Sequence, residues 1–416
     1  VCVNVGDGEY EEAVRIVGLS GSGDRSDGYL VFRAEHRHRA KVQVPLAAAR
    51  DAGAGAFRVE DSNFVVIDGF DLEGQIFPGS EEDGVVVSND QSRKPPDAPV
   101  HHVKILNNLI HHHGGAGVGA VHADYLDVEG NEISDTSRTS IYEVSAISTW
   151  QGVASDQAPG FHNVVRDNIV FDNGEGDTGH ATHTDGNGII IDDFRNTQNG
   201  STYGAYKPAT LIENNLVYSN GGSGIHLFLS DHVTVRNNTT FDNMRDYNGL
   251  QTWRGEINVI KGDYDVFVNN IAVAVQEPNR WHAPNVSLMD NSYDGPNLGN
   301  VWRSNLSFNG TPGQPSTMTT GSGTVIDAAG GNLLGFDPKT RNLAAHDFTL
   351  TPRSPAIGAG TKVFGVPGYD LAGLKRIGPV DLGAYSSRAK FVGYVPRKPP
   401  LIIAPPDALA YVDNGL

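Results

Sequence analysis

Cysteine is almost absent from this 416-residue chain. Cys2 is the only one, which excludes an intrachain disulfide and any metal site built from clustered thiolates. No apolar run reaches the roughly 18 residues that a membrane-crossing helix needs, so no segment reads as a membrane span. Long amphipathic runs are missing too. With 50 Gly and 22 Pro, helical repeat architectures are excluded. Positive charge is scarce: 31 Lys and Arg against 49 Asp and Glu leave a net charge of −18, which argues against a nucleic-acid partner. The chain opens on Val1 without an initiator methionine. The expectation is a secreted or periplasmic product whose signal peptide has been removed.

What the chain does have is asparagine, returning between short apolar runs. The segments are ILNNLIHHH at 105–113, VEGNEIS at 128–134, RDNIVFDN at 166–173, ENNLVYSN at 213–220, RNNTTFDN at 236–243, VNNIAVAV at 268–275 and RSNLSFNG at 303–310. Their aligned asparagines fall at 108, 131, 168, 215, 238, 270 and 305, giving intervals of 23, 37, 47, 23, 32 and 35 residues. Self-similarity at such a period marks a solenoid, because one unit cannot bury its own apolar face and must stack on neighbours. Each unit carries a second short run of β-branched residues, such as GVVVSND at 84–90, GIIIDDF at 188–194 and GIHLFLS at 224–230. Runs this short, bounded by Gly or Asn, read as strands. Strands at about 23 residues per turn describe an all-β parallel β-helix of about ten coils with inserted loops.

Asparagine suits this role because it tolerates the left-handed corner conformation and its amide can hydrogen-bond the asparagine one coil above. The asparagines are therefore structural. Phe171, Tyr218, Phe241 and Phe308, each three residues after a ladder Asn, are expected to stack inside the coil. The chain divides into N-terminal coils at 1–62, Asn-ladder coils at 63–310 and closing coils at 311–395. All belong to one domain, followed by a Pro-rich tail at 396–416 that is expected to lie along the rod.

NFVVIDGFDLEG at 63–74, the repeated NNxxxxN coils, TDGNGIIIDD at 184–193 and NNLVYSNGGSGIHLF at 214–228 resemble the right-handed parallel β-helix proteins of the pectate-lyase-like superfamily. DFTLTPRSPAIGAGT at 347–361 and DLAGLKRIGPVDLGAYS at 370–386 are similar to the closing coil of secreted members. The resemblance implies a carbohydrate-active protein and spans lyases, hydrolases, epimerases and adhesins, so it specifies fold and leaves the reaction open. THTDGNG also resembles the Asn-Thr-Asp-Gly signature of polygalacturonases. This chain has His183 in place of that Asn and lacks the later Gly-His-Gly and Arg-x-Lys elements in order.

Function on a solenoid sits on inserted loops, and the 47-residue interval holds two insertions, 174–187 and 195–209. The first concentrates Asp177, His180, His183 and Asp185 and runs directly into the strand carrying Asp192 and Asp193. Period 2 turns Ile189 and Ile191 inward and Asp192 outward. The following coils bring His226 and Asp231, then Trp253, Arg254, Glu256, Asn258, Lys261 and Asp263. If Asp192 and Lys261 share a column, they stand about 10 Å apart along the axis.

Three chemistries fit these residues. A lyase acting on a uronate chain needs the carboxylate charge offset, which Ca2+ on Asp185, Asp192 and Asp193 can provide. Lys261 or His183 then takes the proton, with His226 and Arg254 as further catalytic candidates. A glycoside hydrolase needs two carboxyls, for which Asp192 with Asp185 or with Glu256 are candidates. A glycan binder or adhesin would use exposed aromatics such as Trp150, Tyr203, Tyr247, Trp253 and Trp281. Trp150, Tyr247, Trp253, His180 and Asn258 are the expected substrate contacts in either enzyme. A lyase on an anionic polysaccharide is the leading expectation, with hydrolase, epimerase and binder as alternatives. The histidines at 101–102 and 111–113 suggest a metal patch, but neighbouring residues on a strand face opposite ways and cannot all reach one ion.

Overall fold

A computed structural model describes residues 1–23, 28–51, 53–89, 98–176, 178–180, 183–246, 255–275 and 286–390. Tyr247, Trp253, Arg254, Trp281, Asp177 and the 396–416 tail lie outside these residues.

The chain winds into three parallel sheets of ten, eleven and ten strands, a right-handed parallel β-helix. The first sheet runs from Cys2–Val5 to Val301–Arg303, the second from Gly8–Glu11 to Leu333–Leu334, and the third from Val14–Val17 to Thr317–Thr320. Each coil gives one short strand to each sheet. Only short strands fit between corners, which is why the sequence shows runs of three to seven residues punctuated by Gly, Asn and Asp.

Alternation along each strand builds the core. In the third sheet Val118, Ile147, Ile189, Ile225, Ile257 and Leu288 stand in register. All are fully buried, each contributing roughly 1.5–3 kcal/mol of apolar burial. The asparagine ladder is continuous from Asn108 to Asn332. From Asn131 onward each Oδ1 accepts both the backbone N–H and the side-chain amide of the Asn one coil before, as Asn215 does from Asn168 at 3.0 and 3.0 Å. The left-handed conformation belongs to the residue just before: Asn107, Asp167, Asn214, Asn237, Asn269 and Ser304 all have φ between 52° and 60°. The paired asparagines thus divide the two tasks, one making the corner and the next the ladder.

Two expectations are corrected here. Val170 and Val217 point into the core, so period 2 turns Phe171 and Tyr218 outward. These rings do stack, 5.0 Å apart and within 4° of parallel, but outside the coil. What covers them is the chain after residue 342, which does not form simple closing coils. It returns along the outer face of the second sheet, where Phe348, Leu371 and Ala384 pack on Leu216 and Tyr218. The corner asparagines hold it: Asn214 Nδ2 donates to Tyr369 O, Asn237 Nδ2 to Asp381 O and Asn269 Nδ2 to Thr361 O.

Candidate functional site

A second ladder runs along the corner between the second and third sheets and sets the register of the inserted loops. Asn173 accepts from Thr136, Asn220 from Asn173, and Asn243 from Asn220, each on Oδ1. Glu256 closes it, its two oxygens accepting the backbone N–H and side-chain amide of Asn243 at 2.9 and 2.5 Å. Glu256 is therefore a ladder terminus, not the second carboxyl of a hydrolytic pair. Beyond the ladder the loops stay tied: Gly176 N donates to Arg138 O, Gly186 N to Val144 O, Gly222 N to Gly186 O and Asp246 N to Gly221 O. A Cβ on Gly222 would lie 2.4 Å from Asp185 O, so only glycine permits this approach.

That stacking gathers titratable groups from three coils. Glu175 Oε1 accepts the N–H of Asp185 at 3.2 Å. Its Oε2 is buried without a hydrogen-bond partner among the described residues and lies 3.8 Å from His183 Nδ1. The same Nδ1 makes a short contact with Asp246 Oδ2. Glu143 Oε2 accepts the hydroxyl of Thr184 at 3.0 Å, and its Oε1 lies 3.6 Å from Nδ1 of the half-exposed His180. Asp185 accepts from Ser145 Oγ, Asn187 Nδ2 and Thr184 Oγ1. Burial pushes the Glu175 carboxyl up to about 10, with Asp185, Glu143 and Asp246 adding to the rise. Burial also raises Asp185, to about 7, against the hydrogen bonds from Thr184 and Ser145.

On the outer face of the third sheet, Asp192 lies in register between Trp150 and Phe228. Its Oδ1 is buried with no hydrogen-bond partner among the described residues. Burial, then the charges of Asp185 and Asp193, hold its carboxyl well above the usual range. In the adjacent outward column His226 is bonded through Nδ1 to Asn258 Oδ1, and Asn258 Nδ2 donates to Ser223 Oγ at 2.7 Å. Burial lowers His226 to about 4, so it stands neutral.

The remaining expected residues are placed elsewhere. Asp192 shares its column with Phe228 and Ile260, so Lys261 is one position off, stacked with Asp193 and Leu229 at left-handed corners. Lys261 Nζ pairs with Asp294 at 2.9 Å and lies over Tyr293. A four-residue strand, about 13 Å, separates its corner from the corner carrying the acidic cluster. Asp193 does not fit a cation cage: its oxygens accept from Thr197 N, Thr197 Oγ1, Gln198 N and Gln151 Nε2, which brace the corner. Asp231 and Asp263 are engaged by Arg195. Among the histidine runs, His113 is buried on Leu72 O, while Glu73, His111 and His112 form a more open group.

Glu143, Glu175 and Asp246 escaped the sequence reading. The signal was the second ladder: Glu175 and Asp246 follow its asparagines, Asn173 and Asn243, by two and three positions.

No known protein family matches the chain, and no curated protein does. Among solved structures, it is similar to the pectate lyase Pel9A (14% identity over 90% of this chain and 97% of that one, TM-score 0.44). It is also similar to an alginate lyase from Paenibacillus sp. str. FPU-7 (13%, 80% and 87%, TM-score 0.40). A third is the A-module of the mannuronan C-5 epimerase AlgE4 from Azotobacter vinelandii (10%, 79% and 88%, TM-score 0.34). None of them assigns a residue or a reaction to this chain.

Proposed function

We propose that this chain is a secreted polysaccharide-active enzyme that cleaves a uronic-acid-containing polymer by β-elimination, on the outer face of the third sheet. The observation that supports this most directly is Asp192 on that face beside Trp150, its Oδ1 buried without a hydrogen-bond partner among the described residues and its carboxyl shifted towards the protonated form by burial. A neutral carboxyl is a proton donor, and an indole is a surface on which a sugar ring stacks.

His180 takes the part of the base. Of the two bases expected from the sequence, His183 is buried against Asp246 and Lys261 is paired with Asp294, whereas His180 was expected only as a substrate contact. His180 is half-exposed, with Glu143 facing its Nδ1, an arrangement that leaves Nε2 for substrate and stabilises the ring once protonated. In the reaction, His180 removes the proton α to the uronate carboxylate. The electron pair becomes the ring double bond, the glycosidic C–O bond breaks, and Asp192, at the far end of the strand from the His180 loop, protonates the departing oxygen through an intervening water. A bound divalent cation offsets substrate carboxylate charge in such chemistry. Asp193 does not fit the calcium set expected from the sequence, so no step is routed through calcium.

Hydrolysis is the second reading, favoured by the same upward shift of Asp192, which would serve as general acid with Asp185 as its partner carboxyl. The test is a panel of uronate and neutral glycans, followed by ultraviolet absorbance and reducing ends together. Absorbance that disappears in both Asp192→Asn and His180→Ala supports elimination. Reducing ends without absorbance establish hydrolysis. A changed uronate composition without cleavage establishes epimerisation, and no reaction on any glycan removes the enzymatic reading.

A further inference from the structure

We propose that Glu175, His183 and Asp246 form a binding site for one divalent transition-metal ion, of the zinc or manganese kind. The site differs from the aspartate set expected for calcium, and it does not depend on which glycan reaction the protein performs. Each of the three residues offers one donor atom, and these atoms lie within 4.8 Å of one another. Ligands of a Zn2+ ion stand about 2.0–2.2 Å from the metal, hence roughly 3–3.5 Å from each other. The 3.8 Å between Glu175 Oε2 and His183 Nδ1 closes to this by a small rotation of the glutamate.

Glu175 Oε2 is the observation that points to a ligand. Its side chain is wholly buried, its other oxygen is already held by the Asp185 N–H, and Oε2 faces His183 with no hydrogen-bond donor among the described residues. A buried carboxyl oxygen without a hydrogen-bond partner is costly unless something binds it. The donor set chooses the ion. One imidazole and two carboxylates suit Zn2+ or Mn2+, whereas Ca2+ takes six to eight oxygens and no nitrogen. The described backbone around the three ligands is cross-tied between coils at Gly176, Gly186, Gly222 and Asp246. Asp246 is the least buried of the three ligands and marks the side from which an ion enters.

The experiment uses the full chain, stripped with a chelator and titrated calorimetrically with Zn2+, Mn2+ and Ca2+, with thermal unfolding measured in parallel. The expected result is one Zn2+ or Mn2+ per chain at micromolar affinity or tighter, with Ca2+ weaker, and a raised unfolding midpoint. Glu175→Gln, isosteric and neutral, should weaken binding at least about 10-fold and lose the midpoint shift. His111→Gln, in the separate group with Glu73 and His112, should change neither. Circular dichroism confirms that each variant is folded. Absence of stoichiometric binding by the parent chain, unchanged affinity in Glu175→Gln, loss of binding in His111→Gln, or tighter binding of Ca2+ each overturns the proposal.

Discussion

Replacing Asn215 by alanine tests whether the ladder, and not the core alone, holds the coils in register. Asn215 makes four side-chain hydrogen bonds. Its Oδ1 accepts the backbone and side-chain N–H groups of Asn168 at 3.0 and 3.0 Å. Its Nδ2 donates to Val165 O at 2.9 Å and Asn238 Oδ1 at 3.0 Å. Some partners keep a second bond: Asn168 Nδ2 retains Val128 O, and Asn238 Oδ1 retains the Asn215 N–H. The buried N–H of Asn168 loses its only acceptor among the described residues. Orphaning it costs about 1–3 kcal/mol. The three weakened contacts add about 0.5–1 kcal/mol each, and the amide-sized void roughly another 1 kcal/mol. The expected loss is therefore about 5 kcal/mol, read from urea unfolding. Because each coil touches only its neighbours, hydrogen exchange should quicken at the amide of Asn168 and stay unchanged at that of Asn305. A loss below about 1 kcal/mol, or uniform quickening along the rod, would refute the ladder argument.

Three other outcomes follow from the same structure. Asp192→Asn keeps the shape of the outer face but removes the transferable proton, so cleavage should fall about 10²–10⁴-fold with unchanged circular dichroism; a fully active variant moves the site elsewhere. Burial raises Glu82 from 4.5 to about 7, so the folded chain binds that proton more tightly than the unfolded one. Stability is then lost as pH climbs through this window, by at most about 3 kcal/mol, and Glu82→Gln should abolish that part. Urea midpoints of the two proteins at pH 5 and pH 8 should therefore differ by unequal amounts, and an equal difference contradicts the assignment. Phe348→Ala empties the contact that pins the returning C-terminal segment on Tyr218 and Phe241. It should cost about 3 kcal/mol and open residues 351–390 to limited proteolysis, while coils before residue 160 resist as before.

The solenoid was legible because its causes are local and repeated. A short β-branched run bounded by Asn or Gly declares a strand wherever it stands, and the aligned asparagines declare which runs stack. The two errors in the fold share one origin. Phe171 and Tyr218 sit next to inward-pointing valines, so alternation alone would have placed them outside. What the repeat could not announce was the non-repeating chain after residue 342, which returns to cover them. Contacts made once, between distant segments, leave no period to read.

The site divides along the same line. His183 and Asp185 were legible because a dense insertion in a sparse repeat is conspicuous, and Asp192 because strand period fixes its face. Column position across coils was not, since one residue of corner is enough to separate Asp192 from Lys261. Glu256 looked catalytic and is a ladder terminus, for a physical reason: a carboxylate can replace the last Asn because it needs only to accept. Glu175 is the converse case. It follows a ladder Asn by two positions, where the loops of adjacent coils are brought together through Gly186 and Gly222, and its orphaned Oε2 exists only once three coils are superposed. A carboxylate that one coil would leave in solvent is made into a candidate ligand by the stacking of the next two. In a repeat protein the chemistry to look for is therefore what consecutive corners place together, not what any single insertion contains.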